Sequence, residues 1–155
     1  MASCIQPRLP YTSPRAGSDT NVPKGVTRFR SGNEAEYVGE TSSRLALVLA
    51  AAGQLEEARA LADEARAVTP TDCVVVRAVA TMAAARSLPA DEVEASLAMA
   101  AAAVNLVPDP MPNLKADLLI EHSRVQAAAR LAEDARASIA RAISLYESKG
   151  NVAAL

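Results

Sequence analysis

With 155 residues, 50% of them hydrophobic but only 3% aromatic, this chain must build its core from Ala, Leu, Val and Ile. Sixteen Lys and Arg against 18 Asp and Glu leave a formal net charge of −2, which argues against a nucleic-acid binder by bulk electrostatics. No apolar run approaches the roughly 18 residues needed to cross a bilayer, and no apolar signal core follows Met1, so a cytoplasmic protein is expected. Ala, Leu, Glu and Arg dominate from Ser42 onward. These are the strongest helix formers, and an all-α fold follows from them.

Residues 1–32 differ from the rest. Pro7, Pro10, Pro14 and Pro23 break any helix, and Ser, Thr, Gly and Arg fill the gaps. Such a stretch cannot bury enough surface to offset its ordering entropy, and a disordered tail is expected. Arg8, Arg15, Arg28 and Arg30 against Asp19 make it basic. An inert tail, one that touches an acidic surface, and a transit peptide spoiled by its prolines are the readings open to it. Arg28-Phe29-Arg30 has the makings of a phosphate or base contact.

Order is predicted over 33–149, with 150–155 as a short C-terminal tail. Asn33 and Glu36 have capping-box spacing, opening a first helix that runs to about Ala52 with Gly39 as a weak point inside it. Leu45, Val48, Leu49 and Ala52 fall at i, i+3, i+4 and i+7, one apolar face. Gly53 is placed to close that helix in the left-handed conformation. A second helix covers roughly Leu55–Val68, with Leu61, Ala65 and Val68 inward and its charged residues on a solvated outer face. Pro70 stops it, and Thr71 or Asp72 is expected to cap a third helix reaching Arg86, with Val75, Val79 and Met82 along one side. After Ser87-Leu88-Pro89, Asp91 and Glu92 favour the positive end of a fourth helix, which runs to about Leu106 through Val93, Leu97, Ala100 and Val104. The prolines at 108, 110 and 112 force a break. Asp109 is predicted to cap a fifth helix carrying Leu114, Leu118, Leu119 and Val125 to about Ala129. A sixth spans about Ala132–Glu147, with Ile139, Ala142, Ile143, Leu145 and Tyr146 inward.

Six helices in three hairpins result. In the first hairpin the run Gly53-Gln-Leu-Glu-Glu-Ala58 is followed by Ala65 and Pro70. Small residues at i and i+7 let two antiparallel helices approach closely. The pattern is similar to a tetratricopeptide-like (TPR) repeat, whose period is about 34 residues, and implies a right-handed α-α superhelix of about three TPR-like hairpins. The third pair fits through Ala135, Ile139, Ala142 and Leu145; the second is degenerate, because its turn falls early.

The stretch Asn113-Leu-Lys-Ala116-Asp117-x-Leu119, then Val125, then Ala142-x-x-Leu145-Tyr146-Glu147-x-Lys149-Gly150-Asn151-Val152 resembles the C-terminal TPR-like region of bacterial class III adenylate or guanylate cyclases and related AAA ATPase signalling regulators. The resemblance covers roughly Glu36 to the end. In that family the cyclase and P-loop ATPase domains lie upstream, and no G-x-x-x-x-G-K-[ST] occurs here. What the resemblance implies is the scaffold alone: a regulatory or tethering module, or a C-terminal fragment. His122 stands where that family usually has leucine, and Arg130 where a turn glycine is common.

No cofactor, metal site or catalytic centre is expected. Cys4, Cys73 and the single His122 cannot build a tetrahedral zinc site without carboxylate help, and no C-x-x-C is present. Ser123 follows His122 but points about 100° away on a helix. The expected function is a non-catalytic scaffold for a protein or peptide partner, with self-association through exposed terminal helices and no membrane role. Carried over from the resemblance, the groove positions are Leu47 in the first repeat, Arg77 and Thr81 in the second, and Asp117, Ile120 and Arg124 in the third. Two alternatives stand beside it: a small helical enzyme or ligand-binding domain using His122, Glu121 and Arg124, and a nucleic-acid-linked regulator whose basic tail contacts phosphate.

Overall fold

Helix-forming composition and well-placed breakers give six helices and no strand among the described residues, which are 34–70 and 72–150 of a computed structural model. They are α1 (Glu34–Ala51), α2 (Leu55–Val68), α3 (Val74–Arg86), α4 (Val93–Leu106), α5 (Pro112–Ala128) and α6 (Ala132–Lys149). The expected tail over 1–32, the Asn33 cap, the Thr71 cap and residues 151–155 lie outside the described residues.

Local chemistry sets most helix ends. Gly53 (φ 80°) and Gly150 (φ 71°) take the left-handed conformation that closes a helix cheaply only for glycine. Pro112 occupies the first turn of α5, where its missing N–H costs nothing. Two expected caps are corrected. Cys73, not Asp72, is the residue before α3, and it makes no side-chain cap. Met111, not Asp109, precedes α5, because helix geometry starts only at Pro112; Asp109 instead accepts a hydrogen bond from Lys115 Nζ at 2.9 Å.

Alanine decides how the helices meet. Among the described residues fifteen of the 24 buried apolar ones are alanines, so backbones pack nearly flush. Ala58 and Ala65, the small residues of the first hairpin, are both fully buried. The seam joining α1, α2 and α3 is all alanine at its buried centre: Ala46, Ala62, Ala83 and Ala84. A second and larger cluster runs from α3 through α6 and holds Met82, Val104, Leu118, Leu119 and Tyr146. Helix α3 belongs to both clusters and is buried on most sides.

The packing order is regular. Each helix packs on its sequence neighbours, α1 also packs on α3, and α3 on α5; α2 does not touch α4, and α4 does not touch α6. The odd-numbered helices therefore form one continuous row. The first and third hairpins also correspond in sequence. Residues 51–65 and 128–142 align so that residue n answers to residue n + 77, pairing Ala58 with Ala135 and Ala65 with Ala142. Their turns share one geometry: Gln54 N–H donates to Leu49 O and Leu131 N–H to Gln126 O, each at 2.9 Å. Arg130 occupies the place of Gly53, and it too is left-handed (φ 62°).

The apolar faces of the end helices are not where periodicity puts them. In α1, Leu45 and Val48 point outward at 46% and 63% exposure, Ala52 beyond its end is exposed, and the buried face is Gly39, Ser42, Ser43, Ala46 and Ala50. In α6, Ile139 and Ile143 are exposed, while Ala135, Ser138, Ala142 and Tyr146 are buried. Close crossing accepts only the small side of each helix, and nothing among the described residues covers the other. Gly39 is thus a contact point more than a weak point: a Cβ there would collide with Thr69 Oγ1 and lie 3.0 Å from Val76 Cγ1.

Candidate functional site

Because α1, α3 and α5 lie side by side, their exposed flanks form one trough. Its middle is lined by Arg44 and Leu47 from α1, Val79 from α3, and Leu114, Asp117, Leu118, Ile120, Glu121 and Arg124 from α5. Toward the α4–α5 connection it continues past Arg44, Leu114 and Asp117 to Val75, Pro112 and Lys149. Leu47, Leu114 and Ile120 give a half-buried apolar floor, and the charged groups stand along its walls.

Four of the six expected groove residues meet here: Leu47, Asp117, Ile120 and Arg124. Arg77 and Thr81 do not join them. Each stands two residues from Val79, hence about 160° around α3, and Thr81 Oγ1 spends its proton on Arg77 O at 2.7 Å. The register assumed for the degenerate second pair places the wrong side of α3 in the groove; Val75 and Val79 fill that role. Arg44, Leu114 and Glu121 also belong to the trough. Arg44 and Glu121 each stand three residues before an expected groove position, Leu47 and Arg124, so one further helical turn on the same side reaches both.

The charges are mostly committed. Arg44 reaches Glu40 at 3.0 Å within its own helix. Glu121 is held between Arg86 and Arg124, and with side-chain exposures of 15% and 16% the Arg86–Glu121 pair is largely shielded and ties α3 to α5. Such a pair is costly to break because one charge would be stranded. Asp117 accepts a hydrogen bond from the buried Tyr146 hydroxyl, which fixes its carboxylate at the trough wall. Burial, then the Asp117 hydrogen bond and charge, push the Tyr146 phenol up to about 12. The guanidiniums of Arg44 and Arg124, though paired with Glu40 and Glu121, are the exposed cations of the trough.

At its far end the trough meets a second depression, between the α3–α4 connection and the end of α5. Leu55, Leu88, Pro89, Val93 and Val125 line it, with Arg86 and Arg124 on the shared wall. Arg59 Nη2 donates to Ser87 O at 3.1 Å and Ser96 Oγ to Ala85 O at 2.8 Å, so this connection is pinned from α2 and from α4.

His122 lies elsewhere. It opens into a cleft between α4, α5 and α6 with Asn105, Gln126, Asp134 and Arg141, while Ser138 Oγ donates to Gln126 Oε1 at 2.8 Å beside it. Burial, reinforced by the Arg141 charge and opposed by Asp134, holds its imidazole below the ordinary value. Glu121 and Arg124 face the trough and His122 faces this cleft, so the three residues of the enzyme alternative do not converge. Among the described residues no three His, Cys, Asp or Glu groups gather at metal-binding range, and no helix is long and apolar enough to cross a membrane. Cys4 and the Arg28-Phe29-Arg30 element lie outside the described residues.

Compared with family models, curated proteins and solved structures, the chain matches none.

Proposed function

We propose that this chain is a non-catalytic, TPR-like scaffold: three helical hairpins stacked as a right-handed superhelix that holds a protein or peptide partner along the row of odd-numbered helices. The observation that carries the reading is the composition of the trough. Three successive odd helices contribute to one open channel whose floor is apolar and whose exposed cations, Arg44 and Arg124, stand on opposite sides of it. A channel of that kind suits an extended or helical segment with apolar anchors and acidic flanks. The Ala58 and Ala65 pattern supports the TPR comparison, and the Asn113–Val152 signature supports a place as a regulatory or tethering module of a cytoplasmic bacterial signalling protein.

A peptide library displayed against the full chain tests this. Selected peptides should carry apolar anchors with nearby acids, and their affinity should fall at least tenfold in Arg44→Glu and Arg124→Glu. The same peptides should bind Ala98→Glu, altered on the exposed side of α4, as they bind the parent. Peptides indifferent to both trough changes, or lost with Ala98→Glu, would place the binding surface elsewhere.

A further inference from the structure

The two ends of the helix stack are unfinished in complementary ways. Helix α5 is seated against α4 and α3 against α2, each odd helix resting on the even helix before it. Among the described residues, helix α1 has no such predecessor, and α6 packs on α5 alone. The 77-residue correspondence shows what each end is built to receive. On α5, Leu118 and Val125 are buried at 1% and 7% exposure in the cluster shared with α4. Their counterparts on α1 are Thr41 and Val48; Val48 is 63% exposed, and Tyr37, three turns before it on the same side of the helix, is 71% exposed. On α2, Ala62 packs into the seam with Ala83 and Ala84 of α3, and its counterpart on α6 is Ile139, bare at 44%. Among the described residues, six of the nine exposed large apolar side chains lie on α1, on α6 or at the start of α6, which is more than scatter over the surface would give.

We propose that the chain associates head to tail, the outer face of α1 in one copy, Tyr37 and Val48, seated on the outer face of α6, Ile139 and Ile143, in the next. The contact continues between molecules the even-to-odd packing that α2–α3 and α4–α5 make within one. It rests on the stacked-hairpin reading given above, but it uses the ends of the stack and leaves the trough free. A heterologous contact of this type does not pair like with like, so it produces an open series of oligomers unless the rotation happens to close a ring. One helix face is small against the roughly 1,200–2,000 Å² of a stable interface, and the association is correspondingly weak.

Sedimentation velocity on the full chain from micromolar to millimolar concentration should show the mean mass rising through dimer and beyond. Val48→Glu and Ile139→Glu change exposed residues, so both should keep parental circular dichroism and remain monomeric. Mixed together, the two should form a one-to-one dimer and stop there, because Ile139→Glu retains a working α1 face and Val48→Glu a working α6 face. The proposal fails if the parent stays monomeric throughout, as when residues 1–33 or another protein cover α1. It fails equally if the mixture does not associate, or if only one of the two changes blocks assembly, which would mean a face pairing with its own copy. Peptide binding in the trough is unaffected by either substitution, so loss of assembly and loss of the groove function read out separately.

Discussion

A methyl group at position 39 has nowhere to go. Alanine in place of glycine inside a helix normally gains up to about 1 kcal/mol, yet at Gly39 the new Cβ would strike Thr69 Oγ1, itself buried and donating to Ala65 O. Clash outweighs propensity, and Gly39→Ala should lower stability by about 1–3 kcal/mol. Adding Thr69→Ala should recover much of that loss, because it removes the obstructing hydroxyl; chemical denaturation of the single and double variants would show the coupling. His122 supplies a second single-residue effect, this time through protons. Its ordinary value is 6.5, and burial and Arg141 favour the neutral ring in the folded state. Below pH 6.5 the unfolded chain takes up a proton that the folded chain resists, so stability falls with acidification and levels off below the folded-state value. Thermal melts between pH 7.5 and 5 should show that fall, and His122→Leu should flatten it. An unchanged slope in that variant would assign the effect to other groups.

Between elements, the turns carry the information that the sequence makes easiest to read. Gly53, Pro70, the prolines after Val107, and Gly150 place most helix ends within a residue or two of where composition and punctuation predict them. Arg130 is the exception that tests the rule, a bulky residue in the left-handed place that Gly53 fills in the first hairpin. Arg130→Gly should therefore stabilise the α5–α6 hairpin by about 1 kcal/mol, and Gly53→Ala should cost a similar amount; equal melting temperatures for all three proteins would refute the strain. Helix faces were less legible than helix ends. Hydrophobic periodicity assumes that the largest apolar residues seek the core, whereas a flush crossing excludes them, and so Ala46 and Ala50 face inward while Leu45 and Val48 face water. Of the trough, Leu47, Asp117, Ile120 and Arg124 are expected only through the resemblance to TPR-like repeats, not from the spacing of the residues themselves. The Arg86–Glu121 tie, 35 residues apart in the chain, leaves no periodic trace, and the early turn of the second hairpin left the register of Arg77 and Thr81 unfixed.

Across the whole molecule stability should be uneven, because a row of helices that touch only near neighbours opens from its ends. Helix α3 has four packing partners, while α1 has two and α6 has one. The two ends are also unequal in what they bury. The α1–α2–α3 seam has only alanines at its buried centre, with Leu47, Leu61 and Met99 half-buried at its edge, but the cluster reaching α6 buries Leu118, Leu119 and Tyr146. At ~0.8 kcal/mol per buried methylene, each leucine in place of an alanine adds on the order of 2 kcal/mol to the C-terminal half. Exchange of backbone amides with deuterium should then be fastest in α1 and α2, intermediate in α6, and slowest in α3 and α5. A tenfold or greater gap between α1 and α3 corresponds to about 1.4 kcal/mol. The measurement belongs at high dilution, where end-to-end contacts between copies cannot protect α1 and α6. Uniform protection from Glu34 to Lys149 would mean that the six helices unfold as one cooperative unit, and that the alanine seam is as firm as the larger cluster beside it.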